Sequence, residues 1–246
     1  DSLISNWMSE QNGIKFLDKK TIPGKILQKL RYGENPHQES RVFEIVNNKK
    51  GFSNLNQIQG KELSHNNYLD SFNAYSLVND FDKQSKVCAI IKHNNPCGCA
   101  SDANGLKAYL NALSGDPTSA FGGVVAFNYS IDEGIATEIV KTFYEVILTP
   151  KVSDEAKKIL SSKKSLRVLE YELVENSPSF SVAFMQKTFL LQDENFSSLT
   201  KKDSLVKSTI GSRNFDLEPG QTYVYARNDV GTLYCEEKRK WGPKLP

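Results

Sequence analysis

The chain has 246 residues, 39% of them hydrophobic and 24% charged. This is ordinary globular usage, which excludes a largely disordered or collagen-like chain and leaves room for one large domain or two small ones. Lys and Arg number 31 and Asp and Glu 29, a formal charge of +2, so a protein built to coat nucleic acid is not expected. Mean hydropathy is −0.46 and no apolar run reaches bilayer length, so no membrane partner is expected either.

Residues 1–24 read as a short amphipathic stretch followed by a polar connector ending at Pro23-Gly24. The stretch 41–46 alternates like a half-buried strand, with a turn at 47–51. From 66 to 81, Leu69, Phe72, Leu77 and Val78 fit the apolar face of a helix. A regular pattern follows. Residues 87–91 form an apolar run of strand length. Ser101 or Asp102 can cap a helix carrying Leu106, Tyr109, Leu110 and Leu113, which ends at Gly115-Asp116-Pro117. Strands are expected at 124–127, 146–148 and 166–169, and helices at 131–143 and 153–160. Fully apolar strands alternating with helices define an α/β fold, a layered, largely parallel sheet with flanking helices. Beyond about residue 200 the signals weaken, and 236–246 reads as an exposed tail.

Four cysteines stand at 88, 97, 99 and 235. They are too few and too unevenly placed for a disulfide framework, which fits reduced thiols in a cytoplasmic protein. His93 with Cys97 and Cys99 superficially matches zinc deaminases. However, no Glu follows His93 at the required place and one residue, not two, separates the cysteines, so no metal is expected. The N-terminus carries no secretory signal and no initiator Met, and the chain is expected to begin inside a longer product.

Four stretches concentrate chemistry. In 90–98 an apolar strand runs into Lys92, His93, Asn94 and Asn95, with Pro96 and then Gly98, where a sharp turn is expected. Ligands in open α/β sheets bind beyond the carboxyl ends of strands. There His93 could move a proton and Lys92 stabilise an oxyanion; the plain alternative is a Lys at a strand end beside a hydrogen-bonded His. In 116–124, small residues and Gly122-Gly123 would let backbone N–H groups approach an anion or a planar ring, or simply make a tight turn. In 30–38, Arg31, Tyr32, His37 and Gln38 suit phosphate or base binding, against the alternative of a Pro-anchored surface turn. In 59–67, Lys61, Ser64 and two Asn precede a helix, where they could bind a sugar or phosphate or serve as ordinary caps.

Taken together and in order, residues 31–38, 59–67, 91–98, 116–123 and 143–150 resemble the family motifs RYGENPHQ, QGK-x-LSYNN, VKHANPCG, DP-x-SAFGG and FVEVI-x-AP. These belong to the aminoimidazole-carboxamide ribonucleotide (AICAR) transformylase part of the bifunctional purine biosynthesis family. The resemblance covers roughly 25–195, including Leu190-Leu191-Gln192-Asp193. It departs at His65, where the family usually has Tyr, and at Cys99, where Val is frequent.

The resemblance implies a cytidine-deaminase-like first lobe over 25–200. Residues 1–24 would be the tail of an upstream cyclohydrolase domain with its linker. Residues 201–246 stay unassigned, with only a faint echo of a VYAK segment at 223–227. It implies formyl transfer from 10-formyltetrahydrofolate to the 5-amine of AICAR, in a parent protein that also closes the ring as an IMP cyclohydrolase. It makes His93 the proton acceptor and Lys92 the charge stabiliser. Arg31, Tyr32 and Lys61 would hold the phosphoribosyl group, and Asn67, Asp70, Phe121, Gly122 and Gly123 would shape the nucleotide pocket. The intact enzyme is expected to be a homodimer. The chain as given is expected to be a truncated form, the alternative function being an inactive nucleotide-binding fragment.

Overall fold

The computed structural model describes residues 2–14, 18–45, 52–81, 84–172 and 180–193. The turn at 47–51, Cys235, the 223–227 echo and the whole of 201–246 lie outside the described residues. Residues 1–172 belong to one compact unit and 173–221 to a second. The second contributes one described antiparallel hairpin, β9 (Phe180–Met185) with β10 (Thr188–Asp193).

The first unit begins with α1 (Ser2–Gln11) and an antiparallel pair, β1 (Gly24–Lys29) and β2 (Arg41–Ile45). A six-stranded sheet follows, in the order β3-β8-β7-β6-β4-β5. Its strands are β3 (Asn56–Gln59), β4 (Lys86–Lys92), β5 (Asn95–Asp102), β6 (Gly123–Phe127), β7 (Tyr144–Thr149) and β8 (Arg167–Glu170). Strands β6, β7 and β8 pair in parallel, while β3, β4 and β5 join antiparallel. Four strands, β5 to β8, therefore run one way and β3 and β4 the other.

Helices lie on both faces, as the layered α/β reading requires. On one face are α3 (Gly105–Leu113), the short α4 (Pro117–Ala120), α5 (Glu133–Ile139) and α6 (Asp154–Leu160). They bring Tyr109, Ile135, Ile139 and Leu160 onto Ile90, Val125, Phe127 and Ile147. On the other face, α2 (His65–Asn79) brings Ala74, Leu77 and Val78 onto Val87, Ile91, Val124 and Leu148. Ile147 and Leu148 are adjacent and both fully buried, one in each layer. A strand buried on both faces has no polar alternation, which is why these runs are continuously apolar. Each such side chain contributes about 1.5–3 kcal/mol of transfer free energy.

Several local expectations change. The 95–102 stretch is a strand and the helix after it is capped by Asn104, not Ser101 or Asp102: Asn104 Oδ1 accepts from Lys107 N at 3.1 Å. Asp102 Oδ1 instead accepts from Asn104 N. Leu69 and Phe72 are 42% and 49% exposed, so the buried stripe of α2 runs through Asn67, Ser71, Ala74, Leu77 and Val78 instead. Gly98 does not make the turn. It lies against the end of α3, where a Cβ would fall on the Ala112 carbonyl oxygen.

Candidate functional site

The turn after β4 consists of His93 and Asn94 alone, because Lys92 pairs with Asn95. Both central residues are left-handed, with φ of 53° and 62°. This is a two-residue hairpin of the primed kind, whose twist matches that of the flanking strands. Since β4 runs antiparallel to β6, its carboxyl end lies where β6 and β7 begin: Ile91 pairs with Val124, and Gly123 with Tyr144. The turn therefore follows the carboxyl end of β4, as the open-sheet rule expects, but the parallel strands β6 and β7 present their amino ends there.

Lys92 Nζ donates to the Phe121 carbonyl at 2.6 Å. This joins the Lys92-His93 pair to the 116–123 loop. Asp116 caps α4, its carboxylate accepting from Ser119 N at 2.9 Å and Ser119 Oγ at 2.6 Å. The Ser119 hydroxyl is the main reason the Asp116 carboxyl is held below its usual range. Gly122 has φ +74°, a left-handed conformation costing most L residues about 1–2 kcal/mol. Its N–H donates to the Phe143 carbonyl at 2.7 Å. A Cβ at Gly123 would stand 2.8 Å from the Ile91 carbonyl oxygen. The paired glycines therefore have distinct uses, one conformational and one steric. Phe121 is 59% exposed, with its ring centroid 5.2 Å from that of Phe143, leaving an aromatic surface beside the lysine.

Helix α2 supplies the opposite side. Ser64 and Asn67 form a reciprocal capping box, each side chain accepting from the other's backbone N–H at 3.1 Å, which satisfies two otherwise orphan donors. Asn67 Nδ2 also donates to Glu145 Oε2 at 2.8 Å. One turn on, Asp70 Oδ1 accepts from Asn94 N at 2.7 Å. Asn67 and Asp70 therefore sit three residues apart on one helix, one reaching β7 and the other the histidine turn.

The Arg31-Tyr32 loop is fastened to the same helix. Tyr68 Oη donates to Gln28 Oε1 at 2.8 Å, and Ser40 Oγ lies 2.9 Å from His65 Nδ1. Within the loop, Gly33 N donates to the Gln38 carbonyl, and Gln38 Oε1 accepts from Asn35 N, both at 2.7 Å. Gln38 and Asn35 thus hold the loop's shape. Arg31 is exposed, its guanidinium 5.6 Å from the Tyr32 ring centroid. Lys61 is exposed in the turn after β3, where its carbonyl accepts from Gln57 Nε2 at 2.6 Å.

Glu145 escaped sequence reasoning. It lies inside an otherwise apolar strand, and that break in the run was the available signal. The cysteines go to separate places. The register shift in β5 sends Cys97 to the α3 layer and Cys99 to the α2 layer. Burial pushes the Cys99 thiol up to about 12 and that of Cys88 well above its ordinary value. Among the described residues, no group of three or more His, Cys, Asp or Glu could hold a metal ion, and no helix is long and apolar enough to cross a membrane.

The fold and these contacts define an α/β lobe with a charged hairpin turn, a glycine-aromatic loop and an arginine-tyrosine loop built around one helix. Residues 1–217 match the family model described as AICARFT/IMPCHase bienzyme, and the chain belongs to that family. It is 45% identical over 170 residues to the bifunctional purine biosynthesis protein PurH of Bradyrhizobium diazoefficiens, an alignment covering 69% of this chain and 32% of that one. It is 43% identical over 196 residues to PurH of Aquifex aeolicus, covering 79% and 38%. The chain thus spans about a third of the length of the curated relatives it matches.

Proposed function

We propose that this chain carries the AICAR-binding and acid–base half of an AICAR formyltransferase, with 10-formyltetrahydrofolate as co-substrate and no metal. The observation that carries the reading is the 2.6 Å bond from Lys92 Nζ to the Phe121 carbonyl, because it unites two family motifs that lie far apart in sequence. The chemistry asks for such a pair. The 5-amine of AICAR is conjugated with its ring and carboxamide and is a weak nucleophile. As its nitrogen attacks the formyl carbon, a C–N bond forms and His93 accepts the amine proton. Lys92 steadies the oxyanion that develops on the formyl oxygen. When the bond from the formyl carbon to the folate nitrogen breaks, the proton is delivered to the leaving nitrogen.

Arg31, Tyr32 and Lys61 are assigned to the phosphoribosyl group, and Phe121, Gly122, Gly123 and Asn67 to the walls of the pocket. In the reading we adopt, residues 25–200 are the first lobe of the transformylase, 1–24 the end of a cyclohydrolase domain, and the intact enzyme is a cytoplasmic homodimer that also acts as an IMP cyclohydrolase.

The test has two arms. Calorimetric titration of AICAR into the 246-residue chain should give saturable heat, weakened by Arg31→Ala; no heat would remove this chain from nucleotide binding. In the full-length protein, His93→Ala should lower formyl transfer by about 100-fold or more. Undiminished transfer would overturn the role given to His93.

A further inference from the structure

We propose that Asp70 and Asn73 are positioning residues that hold the His93–Asn94 turn in its left-handed form and so set where the His93 imidazole stands. The two-residue turn requires positive φ at both central positions, which sequences usually meet with Asn-Gly or Asp-Gly. Here the first position is His and the second Asn, at φ 53° and 62°. Neither has the freedom of glycine, so the surroundings must hold the conformation.

They do so from one helix. Asp70 Oδ1 accepts from Asn94 N at 2.7 Å, and Asn73 Nδ2 donates to Asn94 Oδ1 at 3.0 Å. Residues 70 and 73 are three apart on α2 and so share a face. Asn94 is gripped at its backbone and at its side chain. A third bond, Asn95 Nδ2 to the His93 carbonyl at 2.9 Å, closes the turn from the other strand. A carboxylate bonded to a backbone N–H is the stronger, charge-assisted kind. The Asn94 N–H belongs to the peptide that begins at the His93 carbonyl, so this bond fixes the plane next to the histidine.

The family resemblance places Asp70 in the nucleotide pocket. The geometry instead gives its Oδ1 the Asn94 N–H as partner, through which it acts on the turn that carries His93. The catalytic consequence rests on the formyl-transfer reading; the grip on the turn does not.

The experiment compares Asp70→Ala, Asp70→Asn, Asn73→Ala and the double variant Asp70→Ala with Asn94→Gly. In the isotopically labelled 246-residue chain, Asp70→Ala should speed Asn94 amide exchange by about tenfold or more, since its acceptor is gone. It should also move the His93 ring signals while leaving those of His37 in place. Asp70→Asn keeps an acceptor oxygen and should restore both. The double variant should return the His93 signals, because glycine takes positive φ without steric cost. Asn73→Ala, the milder change, should move the same signals in the same direction.

In the full-length protein, Asp70→Ala should lower kcat by about tenfold with KM for AICAR nearly unchanged, the pattern of a group not used in ground-state binding. Unmoved Asn94 exchange and His93 signals in Asp70→Ala would overturn the proposal. So would a raised KM with kcat retained, which would put Asp70 on the substrate. If the wild-type protein transfers no formyl group, the function proposed above fails, while the exchange and ring signals still decide the role of Asp70.

Discussion

Asn67 bonds to Glu145 across 78 positions of sequence, Nδ2 to Oε2 at 2.8 Å, and this contact ties the first turn of α2 to the start of β7. Asn67 is buried and completes the capping box with Ser64. Its truncation removes a cap and leaves the half-buried Glu145 carboxylate without that donor. Asn67→Ala should therefore destabilise the chain by about 2 kcal/mol, more than the roughly 1 kcal/mol expected of a cap alone. Urea unfolding of Asn67→Ala beside Ser64→Ala measures the difference; equal midpoints would show that the Glu145 contact contributes nothing.

Two glycines should respond in opposite directions to alanine. At Gly98 a Cβ meets the Ala112 carbonyl oxygen, backbone that cannot step aside. Gly98→Ala should cost about 3 kcal/mol, lowering the Tm by roughly 6–12 °C. At Gly134 in α5 the nearest atom to a new Cβ is Asp132 Oδ1 at 3.5 Å, and φ is not positive. Gly134→Ala should raise stability by about 0.5 kcal/mol through helix propensity and reduced unfolded-state entropy. Calorimetric scans of both variants check the signs.

The buried thiols carry a pH dependence. Cys99 ordinarily would titrate near 9.0 and is pushed up to about 12, chiefly by burial. The folded chain therefore keeps a proton that the unfolded chain releases. Its contribution to stability is intact below pH 9 and is lost as the pH rises from about 9 toward 12. Cys88 and the buried tyrosines, raised for the same reason, act in the same direction. Cys99→Ala should flatten the fall of stability across that window in urea titrations. In native chain at pH 8, peptide mapping after alkylation should find Cys88 and Cys99 unmodified until denaturant is added.

Gly122 offers a test of the loop apart from the reacting groups. Alanine there must adopt φ +74°, and its Cβ would lie 3.9 Å from Lys92 Nζ and 3.6 Å from the Phe143 ring. Gly122→Ala should cost about 1–2 kcal/mol of stability and shift the Lys92–Phe121 bond. Under the proposed function it should weaken AICAR binding in calorimetry. An unchanged affinity would separate this loop from the nucleotide site.

How much of this was legible beforehand follows from how local each cause is. The strands around 87–91, 124–127, 146–148 and 166–169 were readable because burial on both faces leaves an unbroken apolar run. The helix start at Ser153 was readable because its side chain acts on an N–H group three residues away, whereas Asp132, which caps α5 in the same way, lay inside the helix expected over 131–143. Strand β5 was not readable: Asn95-Pro96-Cys97-Gly98 looks like turn chemistry, and only its pairing with β4 and its packing beneath α3 make it extended. Leu69 and Phe72 show the converse error, since helical spacing cannot say which of two possible apolar stripes meets the sheet.

The amino-acid sequence by itself determined the layered α/β class and the family, because apolar periodicity and ordered motifs are one-dimensional signals. Only the tertiary structure decided that the Lys92-His93 pair sits at the amino ends of β6 and β7, that its lysine reaches Phe121, and that α2 grips the turn through Asp70 and Asn73. Those outcomes depend on strand direction and on contacts between residues 20 to 80 positions apart, and chain closure over such distances leaves no trace in local spacing.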